Sequence, residues 1–198
     1  MKVIGLTGGI ASGKSTVSRL MREKGIPVIC ADELARGVVE PGKSAYKKIL
    51  KEFGKEILHP DKTLNRPKLA LLVFSSPKKL KTLNSLIHPA IIQEMKKEIE
   101  RFRKKKEKKI ILDIPLLFEE GLDKLCDKVI IVYVPEKIQR ERLKKRENLS
   151  DQEITSRLKS QMPIEEKKKR GHYTIDNNVS LIETKEQIEK MIQRLQKE

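Results

Sequence analysis

Eight residues near the start of the chain, Gly8-Gly9-Ile10-Ala11-Ser12-Gly13-Lys14-Ser15, fit the pattern G-x-x-x-x-G-K-[ST]. They follow a short apolar run, Val3-Ile4-Gly5-Leu6. A stretch from Lys14 to about Glu23 comes next, in which Val17, Leu20 and Met21 recur at helical spacing. Strand, glycine loop and helix in that order make a phosphate-binding loop. Gly8, Gly9 and Gly13 let the chain wrap tightly, so that consecutive backbone N–H groups, through Ala11 and Ser12, point inward at phosphate oxygens. The helix that begins at Gly13 or Lys14 aims its positive dipole end at the same anion. Lys14 reaches the β- and γ-phosphates, the Ser15 hydroxyl ligates magnesium, and Thr16 is placed to meet the α-phosphate. The motif therefore predicts binding of ATP with Mg2+ and leaves the acceptor open. A GTP-binding switch would need a guanine-specificity stretch such as N-K-x-D after a later strand, and Tyr133-Val134-Pro135-Glu136 offers none. A large motor would need more domains than 198 residues hold, which leaves a small kinase.

The rest of the chain alternates strand and helix. Pro27 to Cys30 is the next strand, Ile110 to Leu112 and Val129 to Val134 are β-branched runs of the kind buried on both faces of a parallel sheet, and Tyr173 to Ile175 is a weaker fifth strand. The interval from Asp32 to Arg103 breaks the alternation. It shows helical patterns near Ser44 to Phe53, Arg66 to Val73 and Pro77 to Phe102, which reads as a helical insertion beside the sheet. The last segment, Glu183 to Lys197, carries Ile188, Met191, Ile192 and Leu195 at helical spacing and should pack on the sheet.

Two aspartates stand at the carboxyl ends of predicted strands, the edge where open α/β sheets hold their ligands. Asp32 follows Val28 to Ala31, and Asp113 follows Ile110 to Leu112. A carboxylate there can hold magnesium or accept the proton of an attacking hydroxyl; capping a helix is the bland alternative. The segment Gln139-Arg140-Glu141-Arg142-Leu143-Lys144-Lys145-Arg146 is a candidate lid. Arg142 and Arg146 lie one helical turn apart and could grip neighbouring phosphates, against the alternative of a basic solvated face.

The 44 basic residues outnumber the 28 acidic ones for a net charge of +16, and a surface of that sign attracts polyanions. A single-strand binder interleaves stacking aromatics with its cations, and aromatics are only 4% here, so no nucleic-acid partner is predicted. A nucleic-acid-stimulated ATPase is the competing reading from another class. The runs Lys104-Lys105-Lys106, Lys108-Lys109 and Lys167-Lys168-Lys169 read as solvated surface. Cys30 and Cys126 have no partner at metal-ligand spacing and read as reduced thiols of a cytoplasmic protein. Met1-Lys2 leads straight into a strand, and no apolar run reaches membrane-spanning length, so neither a signal peptide nor a membrane partner is predicted. Oligomeric state is not legible.

Several of these landmarks together resemble the dephospho-coenzyme A kinase family. Gly5 to Val17 is similar to that family's phosphate loop almost letter for letter. Ala31-Asp32-Glu33-Leu34-Ala35-Arg36 resembles its D-A-D-x-x-A-R element, and Val38-Val39-Glu40-Pro41-Gly42 continues the match. Asp61 to Arg66 with Val73-Phe74 resembles its D-G-x-L-D-R and V-F landmarks, and Leu83 to Pro89 its L-N-x-x-x-H-P turn. Asp113 to Glu119 resembles its D-x-P-L-L-x-E strand end. Arg142 and Arg146 match paired lid arginines, Gln161 a glutamine after the lid, and Ile175-Asp176-Asn177 a terminal I-D-N. Cys30 stands where the first aspartate of D-A-D is usual, Lys62 replaces a glycine and Asn65 an aspartate.

The resemblance implies a three-layer α/β P-loop kinase fold with a parallel sheet. Residues 1–31, 104–138 and 162–198 would form the nucleotide-binding core, 32–103 a helical CoA-binding insertion and 139–161 a helical lid. It implies transfer of phosphate from ATP to the ribose 3′-hydroxyl of dephospho-CoA, the last step of coenzyme A synthesis. Asp32 would accept the hydroxyl proton, Lys14 and Arg142, with Arg146, would neutralise the migrating phosphoryl, and Asp113 would hold magnesium with Ser15. Asn177 could contact the adenine or cap the final turn, His88 reads as a hydrogen-bonded turn residue, and Arg36 and Arg66 face either CoA phosphates or nearby carboxylates. A kinase with a nucleoside or nucleoside monophosphate as acceptor shares the loop and lid.

Overall fold

A computed structural model of the protein describes residues 1–197. In chain order the elements are β1 (Lys2–Gly8), α1 (Lys14–Glu23), β2 (Val28–Cys30), α2 (Ala31–Gly37), α3 (Ser44–Phe53), α4 (Arg66–Phe74) and α5 (Pro77–Lys104). They continue with β3 (Lys109–Asp113), β4 (Lys128–Tyr133), α6 (Glu136–Glu147), α7 (Asp151–Lys159), α8 (Ile164–Arg170), β5 (Tyr173–Asp176) and α9 (Leu181–Lys197). The strands form one five-stranded sheet in the order β2-β3-β1-β4-β5, and the β1–β3, β1–β4 and β4–β5 pairs are parallel.

The register of those pairs decides where chemistry can gather. Leu6 lies opposite Asp113, Gly8 opposite Val132, and Tyr133 opposite Asp176. The carboxyl ends of four strands thus meet at one edge, with the glycine loop leaving the central strand. Alternate residues of the strands build one core: Ile4, Leu6, Ile111, Ile130, Val132 and Ile175 pack with Val17, Leu20 and Met21 of α1 and Ile188, Met191 and Leu195 of α9. On the opposite face Ile131 lies against Gly171, just beyond α8, so closely that a Cβ on that glycine would collide with it. Helices therefore cover both faces, the three-layer arrangement expected of the sequence.

The chain divides into two compact units, one made of Met1–Ile29 with the chain from Lys105 onward, the other of Cys30–Lys104. The second unit is helical and has its own core, in which Val39, Tyr46, Ile49, Phe53, Ile57, Leu69, Val73 and Leu83 are buried together. One expectation fails here. The segment around His88-Pro89 is no turn, because α5 runs unbroken from Pro77 to Lys104 with Pro89 inside it. Proline costs a helix one hydrogen bond, and packing of α5 against α2, α3 and α4 outweighs that local loss.

Both departures around residues 61–66 have a physical reading. Lys62 has φ +67°, the left-handed region where glycine is at ease and a side chain is strained. The turn is held regardless, since Asp61 Oδ1 accepts from Thr63 N (2.9 Å) and Thr63 Oγ1 (2.6 Å), and Tyr46 Oη donates to the Lys62 carbonyl (2.6 Å). Asn65 is the N-cap of α4 and accepts from Lys68 N at 3.0 Å, a task asparagine and aspartate share. Both cysteines are free, and burial, with Asp123 and Asp127, pushes the Cys126 thiol up to about 12, which makes it inert. Among the described residues no helix is long and apolar enough to cross a membrane. Replacing Lys62 by glycine should raise stability by about 0.5–1 kcal/mol, the relieved strain exceeding the entropy glycine adds to the unfolded chain. Urea unfolding of the two proteins checks this.

Candidate active site

The glycine loop closes between β1 and α1, and each glycine admits a neighbour. A Cβ on Gly8 would stand 2.6 Å from both the Val132 carbonyl and Ser12 Oγ. On Gly9 it would strike the Gln139 amide, and on Gly13 that of Asn177. Gly13 is also the N-cap of α1 at φ +84°, and Ala11 is left-handed at φ +58° without glycine's freedom. Within the loop, Ser12 N donates to the Gly9 carbonyl at 3.1 Å and Ile10 N to Gln161 Oε1 at 2.9 Å. The amides of Ala11, Gly13, Lys14 and Ser15 donate to no acceptor among the described residues. Ser12 Oγ is likewise buried with no partner among them. Unspent donors at the positive end of a ten-residue helix are what a phosphate chain requires.

Charged groups converge on this loop. Lys14 Nζ is ion-paired with Asp113 Oδ1, and Asp113 is only 4% exposed at the end of β3. Arg142 donates through Nη2 to the Asn177 carbonyl (2.8 Å) and through Nη1 to the carbonyls of Ala11 (3.4 Å) and Ser12 (3.5 Å). Asn177 Nδ2 donates to the Ser12 carbonyl at 2.7 Å, and its Oδ1 accepts from Thr184 Oγ1 at 3.2 Å, while Ser180 caps α9 instead. Ser15 is exposed and Thr16 half-buried in the first turn of α1. The structure thus brings together Lys14, Asp113, Arg142 and Asn177. Arg146 is not with them: it is exposed on α6 and paired with Glu147, which also takes Arg157. Asp32 is exposed in the first turn of α2, in the helical unit. There too Arg66 Nη2 donates to the Arg36 carbonyl at 3.4 Å, and neither arginine is paired with a carboxylate among the described residues.

A lysine read as solvated surface belongs to the site. Lys167 is fully buried, and its Nζ is paired with Glu119 Oε1 (2.9 Å) and donates to the carbonyls of Pro115 (2.9 Å) and Gly8 (3.5 Å). Burial pushes its pKa below the usual lysine range, the hydrogen bond and charge of Glu119 pull it back, and Lys14 pushes it down again. In α8, Ile164 and Lys167 are the buried positions, three apart on one face. Nothing in a run of three lysines marks the first as interior, and only the Ile164 spacing carried that signal.

The chain matches the dephospho-CoA kinase family over residues 2–183. The chain belongs to the dephospho-CoA kinase family. A dephospho-CoA kinase of Bacillus cereus is 52% identical over 187 residues, 94% of each chain. The solved dephospho-CoA kinase from Campylobacter jejuni is 30% identical, with a TM-score of 0.77 over 98% of this chain and 97% of that one. Shikimate kinase from Acinetobacter baumannii shares the fold alone, at 16% identity and a TM-score of 0.53 over 100% and 94% of the two chains. The family thus brings kinase activity with ATP as donor to the loop described above.

Removing the buried ammonium strands Glu119, whose Oε2 is itself buried and unpartnered. Lys167→Met should cost about 3 kcal/mol in urea unfolding, and adding Glu119→Leu should restore part of it. A double variant no more stable than the single one would remove the ion-pair account.

Proposed function

We infer that the chain transfers the γ-phosphoryl of ATP to the ribose 3′-hydroxyl of dephospho-CoA and so completes coenzyme A. The observation that carries the acceptor is the family match, which runs through the helical unit as well as the phosphate loop. A likeness confined to the loop would support ATP binding alone. Reduced thiols and an ATP-dependent reaction fit work in the cytoplasm.

Phosphoryl transfer gathers negative charge on the migrating group and its leaving oxygen, so the protein's part is to position and to neutralise. Backbone amides of the loop from Gly8 to Gly13 and the start of α1 hold the phosphate chain, with Ser12, Ser15 and Thr16 adding hydroxyls. Lys14 exchanges its carboxylate partner for phosphate oxygens. Arg142, already anchored on loop carbonyls, supplies a second cation beside it. Arg146 follows one turn later and can join only by leaving Glu147. Asn177 supports the loop at the Ser12 carbonyl and contacts the adenine.

Magnesium suits the donors present. Ser15 and Asp113 offer hard oxygens, and magnesium in such sites takes few protein ligands beside phosphate and water. Among the described residues there is no group of three or more His, Cys, Asp or Glu side chains that could hold a metal ion. When bound, it supplies charge neutralisation on the phosphates. Asp32 accepts the acceptor's hydroxyl proton, and Arg36 with Arg66 meets the acceptor's phosphates.

Coupled ADP release with Mg-ATP and either dephospho-CoA or adenosine tests the reaction. Turnover with dephospho-CoA, giving a product that chromatographs as CoA, is the expected result, and turnover with adenosine alone would overturn the acceptor. Asp32→Asn should lower kcat about a hundredfold or more with ATP binding retained. Near-normal turnover in that variant would remove Asp32 as the base.

A further inference from the structure

Ile10, in the middle of the phosphate loop, is held from both sides by side-chain amides of distant residues. Gln139 Nε2 donates to its carbonyl at 2.7 Å, and its own N–H donates to Gln161 Oε1 at 2.9 Å. Gln139 lies in the first half of α6 and is 2% exposed; Gln161 follows α7 and is half-buried. The stretch between them carries Arg142, which lies three residues after Gln139 and reaches the next two loop carbonyls, Ala11 and Ser12. Both ends of that stretch therefore close on a single residue of the loop.

The geometry of the peptide bond gives this grip a direction. In a trans peptide C=O and N–H point opposite ways. Fixing the Ile10 carbonyl on Gln139 therefore turns the Ala11 N–H away from Gln139, and that amide is one of the loop donors with no acceptor among the described residues. Fixing the Ile10 N–H on Gln161 turns the Gly9 carbonyl the other way, where it accepts from Ser12 N. Ala11 itself is left-handed, a conformation a non-glycine residue keeps only when its surroundings hold it. Gly9 must lack a side chain for the Gln139 amide to arrive at all.

We propose that Gln139 and Gln161 are positioning residues for the nucleotide: together they fix the two peptide planes around Ile10 and so aim the Ala11 amide at a phosphate oxygen. This rests on the loop being the ATP site. The roles of the two glutamines are opposite, one a donor and one an acceptor, and the backbone groups they meet fix which end of each amide is used. A carboxylate can replace the acceptor and cannot replace the donor.

The test is equilibrium binding of ADP with Mg2+ to the full chain and to Gln139→Leu, Gln139→Glu, Gln161→Leu and Gln161→Glu, with hydrogen exchange at the Ile10 amide read alongside. Each leucine variant should weaken ADP about tenfold. Gln161→Glu should recover most of what Gln161→Leu loses and keep the Ile10 amide protected, whereas Gln139→Glu should recover nothing relative to Gln139→Leu. A role in filling space would treat the two glutamates alike. Wild-type ADP affinity in both leucine variants, or the same response to glutamate at both positions, overturns the proposal. Should Gln139→Glu not fold, the Gln161 pair decides by itself through ADP affinity and Ile10 exchange. A wild-type chain that binds ADP but leaves dephospho-CoA untouched would remove the acceptor reading and leave this one standing.

Discussion

The parallel pairing of β1 with β3 on one side and β4 on the other, in a register that sets Leu6 beside Asp113 and Gly8 beside Val132, fixes almost everything that follows. A strand with neighbours on both sides has few backbone groups left for a loop to borrow, so the chain beyond Gly8 must find partners elsewhere. It takes them largely from the side chains of Gln139, Arg142, Gln161 and Asn177 as it runs into the start of α1. A shift of one residue between β1 and β3 would turn alternate side chains to the other face, taking Leu6 and Ile111 out of the core and Asp113 away from Lys14. The hydrophobic face and the ion pair thus enforce the same register.

Around that loop the protein concentrates positive charge and then has to live with it. Lys14, Arg142 and Lys167 lie close to backbone carbonyls or to one carboxylate each, and the deepest of them, Lys167, is answered by Glu119 and two carbonyls. Burial is the main force that lowers the pKa of Lys167, and the nearby charge of Lys14 acts in the same direction. A polyanionic substrate relieves such crowding, so part of the attraction for nucleotide is built into the fold rather than into contacts made on binding. Glu119 adds a mechanical link: the oxygen that pairs with Lys167 also accepts from Met162 N at 2.9 Å, which fastens the chain beside Gln161 to the strand end at Pro115.

What the sequence disclosed depended on whether a signal was local. The glycine loop, α1 and α3 were legible because spacing and glycine placement are properties of consecutive residues, and α3 begins and ends at the residues the periodicity marks. Asp113 was legible because it ends a β-branched run at the same sheet edge as the glycine loop. The interior status of Lys167 was not, since the run Lys167-Lys168-Lys169 looks uniform until α8 is docked on β4. The periodicity from Pro77 to Phe102 marked the helix through Pro89, and the turn expected at His88-Pro89 failed because a rule about one residue's hydrogen bond is overruled by the faces of 28 residues. Gln139 and Gln161 gave little away: a neutral amide shows its use only once Ile10 lies between them.

The contact between Asn177 and the Ser12 carbonyl joins residues 165 positions apart. A chain grows at roughly 5–20 residues per second, so the loop waits on the order of ten seconds or more for its last support. Thr184, which steadies Asn177, comes later still. The phosphate loop is therefore synthesised well before the residues that finish it. Its anion-seeking amides acquire their final geometry only when nearly all of the sheet is in place to bear them.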